Sequence, residues 1–221
     1  MTRLTRKIDP DLIVFDLDGT LADTMPDLAA AANFACRRLG LPEHPQRAIR
    51  GMIGGGERKL IERLVGAEHQ DRVDECLELY LDYYTSHNGD ASRLYPGVAA
   101  TLERLAGRRM AVLSNKLLRL TQQAMEALNL TRFFAAIRGG GPGLALKPAP
   151  DQLVALTSEM GVEPARTLMV GDKPADIQAG KGAGAVTAAV TYGYGELDSL
   201  TAASPDFFLP RFSQLPDLLA G

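Results

Sequence analysis

Four short stretches of the 221-residue chain are almost wholly apolar: Leu12-Ile13-Val14-Phe15, Met110-Ala111-Val112-Leu113, Thr167-Leu168-Met169-Val170 and Ala185 to Val190. Runs this short, rich in β-branched residues and unbroken by charge, predict strands buried on both faces, as in a parallel sheet. Between them the apolar positions recur at helical spacing, predicting helices over Val98 to Leu105, Leu117 to Leu128, Pro150 to Met160 and Pro174 to Gly180. Strands that alternate with helices at this pitch imply βαβ units, hence an α/β fold with a Rossmann-like, doubly wound parallel sheet. Such a sheet offers its ligands the carboxyl ends of its strands.

One segment breaks the alternation. From Thr24 to His87 the pattern predicts helices only, over Asp27 to Leu39, Arg47 to Met52, Glu57 to Val65 and Asp71 to Tyr84. Turn-rich connections flank it. We therefore expect an all-helical unit over residues 21–93, inserted after the first strand of an α/β core made of residues 1–20 and 94–221. This division explains a length that would otherwise suggest about one and a half domains.

Composition narrows the function classes. With 46% hydrophobic residues the chain can bury a core, which excludes disorder, and a net charge of −3 offers no basic footprint for nucleic acid. No apolar run approaches the ~18 residues of a membrane span, and the start of the chain lacks the apolar core of a signal peptide. Cys36 and Cys76 form no Cys-x-x-Cys pair and are expected as reduced, buried thiols. A cytoplasmic protein, monomeric or homodimeric, is the expectation.

Chemistry gathers after the strands. Asp16-Leu17-Asp18-Gly19-Thr20 follows the first, Ser114-Asn115-Lys116 the second and Gly171-Asp172-Lys173-Pro174-Ala175-Asp176 the third, while Lys147-Pro148 precedes a helix. Several carboxylates brought to one sheet edge cannot all ionise without a cation. Oxygen ligands with few histidines point to Mg²⁺, and lysine, hydroxyl and backbone N–H groups beside it are what a phosphoryl group requires. In this order the four segments resemble the sequence motifs of the haloacid dehalogenase superfamily of aspartyl-phosphate hydrolases. Within it the stretch Phe15 to Leu28, Gly54-Gly55-Gly56-Glu57 and Ser114-Asn115-Lys116 are similar to the phosphoglycolate phosphatases.

The resemblance implies a set of roles. Asp16 is the nucleophile and Asp18 the general acid and base, with Lys147 neutralising charge. Gly19, Thr20, Ser114 and Asn115 hold the phosphoryl group. Mg²⁺ is bound by the Asp16 carboxylate, the Asp18 backbone carbonyl and Asp172, and Asp176 acts through the second shell by water or by orienting Lys147. The helical insertion becomes a cap in which the Gly54-Gly55-Gly56 loop dips toward a small phosphorylated metabolite, and Arg58 or Lys59 meets its carboxylate. The leading substrate is 2-phosphoglycolate; a sugar phosphate, nucleotide or pyrophosphate, or a non-catalytic binding or regulatory role, are the alternatives. Lys173 departs from the small or hydroxylic residue common after the metal-binding aspartate. A cation there either competes with Mg²⁺ or turns away from it.

Other readings fit less well. An EF-hand loop needs glycine sixth and glutamate twelfth, where this chain has Gly19 fourth and Asp27 twelfth. Gly51 to Gly56 begins like a phosphate-binding loop, but Glu57-Arg58 replaces its Lys-Ser/Thr and no strand precedes it. Dehalogenases proper lack the second aspartate, because a halide leaves without a proton. The related sugar-phosphate mutases often carry valine in place of Thr20. His44, His69 and His87 read as solvated, and Tyr80, Tyr83 and Tyr84 as packing within the insertion.

Overall fold

A computed structural model describes residues 7–220. In chain order β1 (Leu12–Phe15) and β2 (Ala22–Asp23) lead into α1 (Met25–Arg38), α2 (Gln46–Met52), α3 (Gly56–Val65) and α4 (Val73–His87). The chain returns through β3 (Arg93–Leu94), then α5 (Val98–Arg104), β4 (Met110–Leu117), α6 (Leu118–Ala127) and β5 (Ala136–Gly140). It ends with α7 (Asp151–Glu159), β6 (Thr167–Gly171), α8 (Pro174–Ala183), β7 (Val186–Val190), α9 (Leu197–Ala203), β8 (Phe207–Leu209) and α10 (Leu215–Leu218). Residues 1–6, which the sequence reading assigns to the core, lie outside the described residues.

Six strands form one sheet in the order β5-β4-β1-β6-β7-β8, every neighbouring pair parallel. The α/β expectation holds. Central β1 pairs Ile13 with Met110 on one side and with Leu168 on the other. Its two-residue periodicity divides the core: Ile13 and Phe15 pack with Val112, Val170 and Phe212, whereas Leu12 and Val14 pack with Leu113, Leu153 and Met169. From β1 the order runs one way through β4 and β5 and the other way through β6 to β8. This is a topological switch point, so the crevice above the carboxyl end of β1 is the natural ligand site.

The insertion has its own core. Ala32, Ile61, Tyr80 and Tyr84 pack together with Cys36 and Cys76, both buried as free thiols whose pKa burial pushes up to about 11. The chain passes to and from it through the antiparallel β2–β3 ribbon, Ala22 facing Leu94. Buried Asp27 pins this junction by accepting from the backbone N–H of Gly89 (3.1 Å), Ala91 (2.9 Å) and Ser92 (2.9 Å) and from the Ser92 hydroxyl (2.6 Å).

Several elements differ from the sequence reading. β4 continues four residues beyond Leu113, and α4 starts at Val73 because residues Ala67–Arg72 form a 3₁₀ segment. β5, β8 and the ribbon were not predicted. The three histidines are partly exposed, each with some cover: His44 contacts the Leu64 carbonyl, and His87 stacks on Tyr83 while pairing with exposed Asp90.

Candidate active site

The loop after β1 sets the first groups. Leu17 to Ala22 close a tight turn in which the N–H groups of Leu21 and Ala22 both donate to the Leu17 carbonyl (3.0 and 3.1 Å). Gly19 sits in it at φ +90°, and a Cβ there would fall 2.2 Å from Asp172 Oδ2. A side chain is therefore excluded by both backbone and space. The turn leaves Asp16 and Asp18 at the crevice with different partners. Asp16 Oδ1 accepts from Lys147 Nζ at 2.8 Å. Asp18 Oδ1 accepts from the Thr24 hydroxyl at 2.5 Å and Lys116 Nζ at 2.6 Å.

The end of β4 supplies three consecutive residues. Ser114, Asn115 and Lys116 all line the crevice, which a regular strand with alternating faces would forbid. The pairing of β4 with β5 slips between Leu113 and Leu117, and this irregularity re-aims the side chains. The Asn115 amide donates to the Lys147 carbonyl (2.8 Å) and accepts from the Lys147 N–H (2.9 Å). Lys147 Nζ then reaches Asp16, Asp176 Oδ1 (2.7 Å) and the Leu113 carbonyl (2.7 Å), using the three donors of an ammonium. Burial disfavours its charge, but Asp16 and Asp176 outweigh that and hold its pKa above the usual lysine value.

The third group comes from the start of α8. Asp176 caps that helix by accepting from the Lys173 N–H at 2.9 Å. It folds back over Gly171, where a Cβ would lie 2.2 Å from the Asp176 side chain. Asp172, fully buried, accepts from the Tyr194 N–H (2.6 Å) and, at 3.4 Å, from the Thr20 hydroxyl. Carboxylate oxygens of Asp16, Asp172 and Asp176 lie within 4.8 Å of one another, all buried. Burial above all pushes the Asp16 carboxyl well above the usual range; Lys147 opposes this, while Asp176 and Asp18 add to it. Burial does the same to Asp172, reinforced by Asp16 and Asp176. Three buried carboxylates beside one saturated lysine fit a hard cation, which would supply the missing charge. This cluster could hold a metal ion.

A family model described as haloacid dehalogenase-like hydrolase matches residues 13–190, which include every residue of this cluster. The chain belongs to that family. Haloacid dehalogenase-like relatives resemble it over nearly its full length. A phosphoglycolate phosphatase of Vibrio parahaemolyticus is 36% identical, the match covering 96% of this chain and 97% of the relative. One of Aquifex aeolicus is 38% identical, with 94% and 96% covered. The crystal structure of a predicted phosphoglycolate phosphatase from Haemophilus somnus superposes with a TM-score of 0.89 at 31% identity, covering 94% of this chain and 97% of the other.

Of the residues to which the family resemblance gives roles, Asp16, Asp18, Lys147, Asp172 and Asp176 converge. The Thr20 hydroxyl donates to Asp172, and the Asn115 side chain is bonded to the Lys147 backbone. Ser114 Oγ accepts from the Lys116 N–H at 3.2 Å. Gly54 and Gly56 line the crevice but Gly55 does not. All three take positive φ, and that backbone brings Glu57 to the core, where it accepts from the Leu117 N–H at 3.0 and 3.2 Å. Arg58 points away: its side chain is 57% exposed and paired with Asp74, and Lys59 pairs with Glu62. Neither reaches the crevice. Lys173 turns from the carboxylates toward the Ile53 carbonyl of the insertion and sits over the Tyr194 ring. Lys116 and Tyr80 also line the crevice, although the sequence gives Lys116 no role of its own and Tyr80 only one in packing. A lysine directly after Ser114-Asn115 was a signal for the first; helical spacing gave none for the second.

Proposed function

We propose that the protein is a Mg²⁺-dependent phosphatase that hydrolyses a small phosphate monoester through an aspartyl-phosphate, with 2-phosphoglycolate the leading substrate. The observation that carries this reading is the division of labour between two neighbouring carboxylates. Asp16 is gripped by Lys147 inside the acidic cluster, while Asp18 stands apart from it on Lys116 and Thr24. The relatives that are named phosphoglycolate phosphatases support the choice of substrate.

Lys147 takes Asp16 Oδ1, and no described residue hydrogen-bonds to Oδ2, which is free to attack phosphorus. As the Asp16–phosphorus bond forms, the bond to the ester oxygen breaks and Asp18 gives that oxygen a proton. Asp18 then takes a proton from the water that attacks phosphorus, which releases phosphate and restores Asp16. Asp16, the Asp18 carbonyl and Asp172 would hold Mg²⁺, which neutralises charge on the transferred group. Asp176 acts by orienting Lys147, whose ammonium its Oδ1 accepts from at 2.7 Å while its Oδ2 caps α8. Residues 21–93 serve as a cap whose Glu57 and Gly54–Gly56 loop shut the crevice against water.

Phosphate release from a panel of esters, with Mg²⁺ and with a chelator, tests this. Wild type is expected to hydrolyse 2-phosphoglycolate only with the metal, and Asp16→Asn to lose at least about 10⁴-fold, as when a covalent nucleophile is removed. Release from no ester would refute the phosphatase, whereas a large preference for hexose phosphates would refute only the substrate.

A further inference from the structure

Tyr80 and Lys116 both line the crevice, one from α4 and one from the end of β4, and the catalytic scheme gives neither a contact with substrate. We propose that they form the receptor for a carboxylate carried next to the scissile ester, so that the site selects short α-phosphooxy acids. The proposal rests on the phosphatase reading above and names what reads the other end of its substrate.

Tyr80 is fully buried, lines the crevice and stacks on Tyr84 with ring centroids 5.4 Å apart. Its hydroxyl finds no hydrogen-bond partner among the described residues. A buried hydroxyl is costly to leave unpaired, so one on a residue that lines a ligand crevice has a donor to offer a ligand. Lys116 has a side chain only 3% exposed. Its ammonium donates to Asp18 Oδ1 at 2.6 Å and to the Tyr84 hydroxyl at 2.9 Å, leaving the third of its N–H groups. Tyr84 thus joins the two: it stacks on Tyr80 and accepts from Lys116.

The chemistry of the ester explains why this pair suits a carboxylate. Asp18 delivers its proton to the leaving oxygen, and in an α-phosphooxy acid the carboxyl carbon is two bonds from that oxygen. A cation already hydrogen-bonded to Asp18 is therefore within reach of the substrate's carboxylate. The other charged groups of the wall are committed elsewhere. Lys147 is saturated, Lys173 is turned to the Ile53 carbonyl, and Glu57 is held by the Leu117 N–H through both oxygens.

Steady-state hydrolysis of 2-phosphoglycolate and of ethyl phosphate, which lacks the carboxylate, tests the assignment in wild type, Tyr80→Phe, Lys116→Gln and Lys116→Arg. Wild type is expected to favour phosphoglycolate. Tyr80→Phe should lower kcat/KM for phosphoglycolate about 10-fold and Lys116→Gln about 100-fold, the range for losing a neutral or charged hydrogen bond. Because the Lys116 ammonium also holds Asp18, Lys116→Gln should slow both esters, but phosphoglycolate about 10-fold more; Tyr80→Phe should spare ethyl phosphate, and Lys116→Arg, which keeps the charge, should retain most of the preference. Equal losses on both esters would overturn the receptor, reducing Lys116 to a support for Asp18 and Tyr80 to packing; so would a wild type without preference. If wild type hydrolyses no ester, the phosphatase reading falls, and calorimetric titration with 2-phosphoglycolate decides the receptor alone. Binding about 30-fold weaker in Lys116→Gln sustains it, and unchanged binding overturns it.

Discussion

Asp176 can orient Lys147 only because the residue beneath it has no side chain. A Cβ on Gly171 would lie 2.2 Å from both Cβ and Cγ of Asp176, well inside contact distance, and neither a strand end nor the first turn of α8 can move freely. Gly171→Ala is therefore expected to push Asp176 off Lys147 and Lys147 off Asp16. Activity should fall by at least about 100-fold, the cost of a misplacement of roughly 1 Å in a catalytic array. Circular dichroism should show the fold retained; normal turnover in the variant would show that the Asp176–Lys147 contact is dispensable. At this scale the sequence was readable wherever a residue's placement follows from its position after a strand, as for Asp16, Asp18 and Asp172, which it brings to one sheet edge. It was unreadable where the role depends on which distant atom a side chain meets. Arg58 has the right charge for a substrate carboxylate and points to Asp74, while Tyr80 has the spacing of a packing residue, yet lines the crevice and has a buried, unpaired hydroxyl.

Among the elements, β1, β4, β6 and β7 were legible because burial on both faces demands unbroken apolar runs. β5 was not: its sequence Ala-Ile-Arg-Gly-Gly lies at a sheet edge, and its glycines serve the close approach of the β4 end. A Cβ on Gly139 would lie 2.8 Å from the Lys116 carbonyl, and one on Gly140 2.7 Å from that of Asn115. The two- and three-residue strands β2, β3 and β8 are too short for any periodicity to show. The contact between core and insertion was equally hidden, since it joins residues far apart in the chain. Lys173, at the start of α8, holds the Ile53 carbonyl just after α2, and Glu57, in α3, holds the end of β4. Lys173→Ser should loosen this closure without touching the reacting groups. We expect KM to rise about 10-fold, the lower end for losing one hydrogen bond from a charged donor, with kcat within a few-fold. Loss of turnover at saturating substrate would instead place Lys173 in the chemistry.

For the whole molecule, the acidic cluster links stability, pH and metal. The folded-state pKa values of Asp16 and Asp172 are raised mainly by burial, so between the unfolded and folded values the native state binds more protons than the unfolded chain. Stability from these two groups is present below the ordinary carboxylate value of about 4 and is lost as pH rises toward neutrality. A metal ion on the same oxygens needs them deprotonated, so its stabilising effect grows over the interval in which the bare cluster becomes a burden. Chelator-treated protein should therefore lose melting temperature between about pH 5 and pH 8 relative to protein in about 10 mM Mg²⁺. The difference should be less than about 1 °C at the acid end and about 2–12 °C at the upper end, for about one to three kcal/mol of linkage in a chain of this size. Asp172→Asn should remove the Mg²⁺ response at every pH. A response of the same size across the whole interval would mean that the ion binds away from these buried carboxylates, and would separate the metal from the site that Asp16 and Lys147 define.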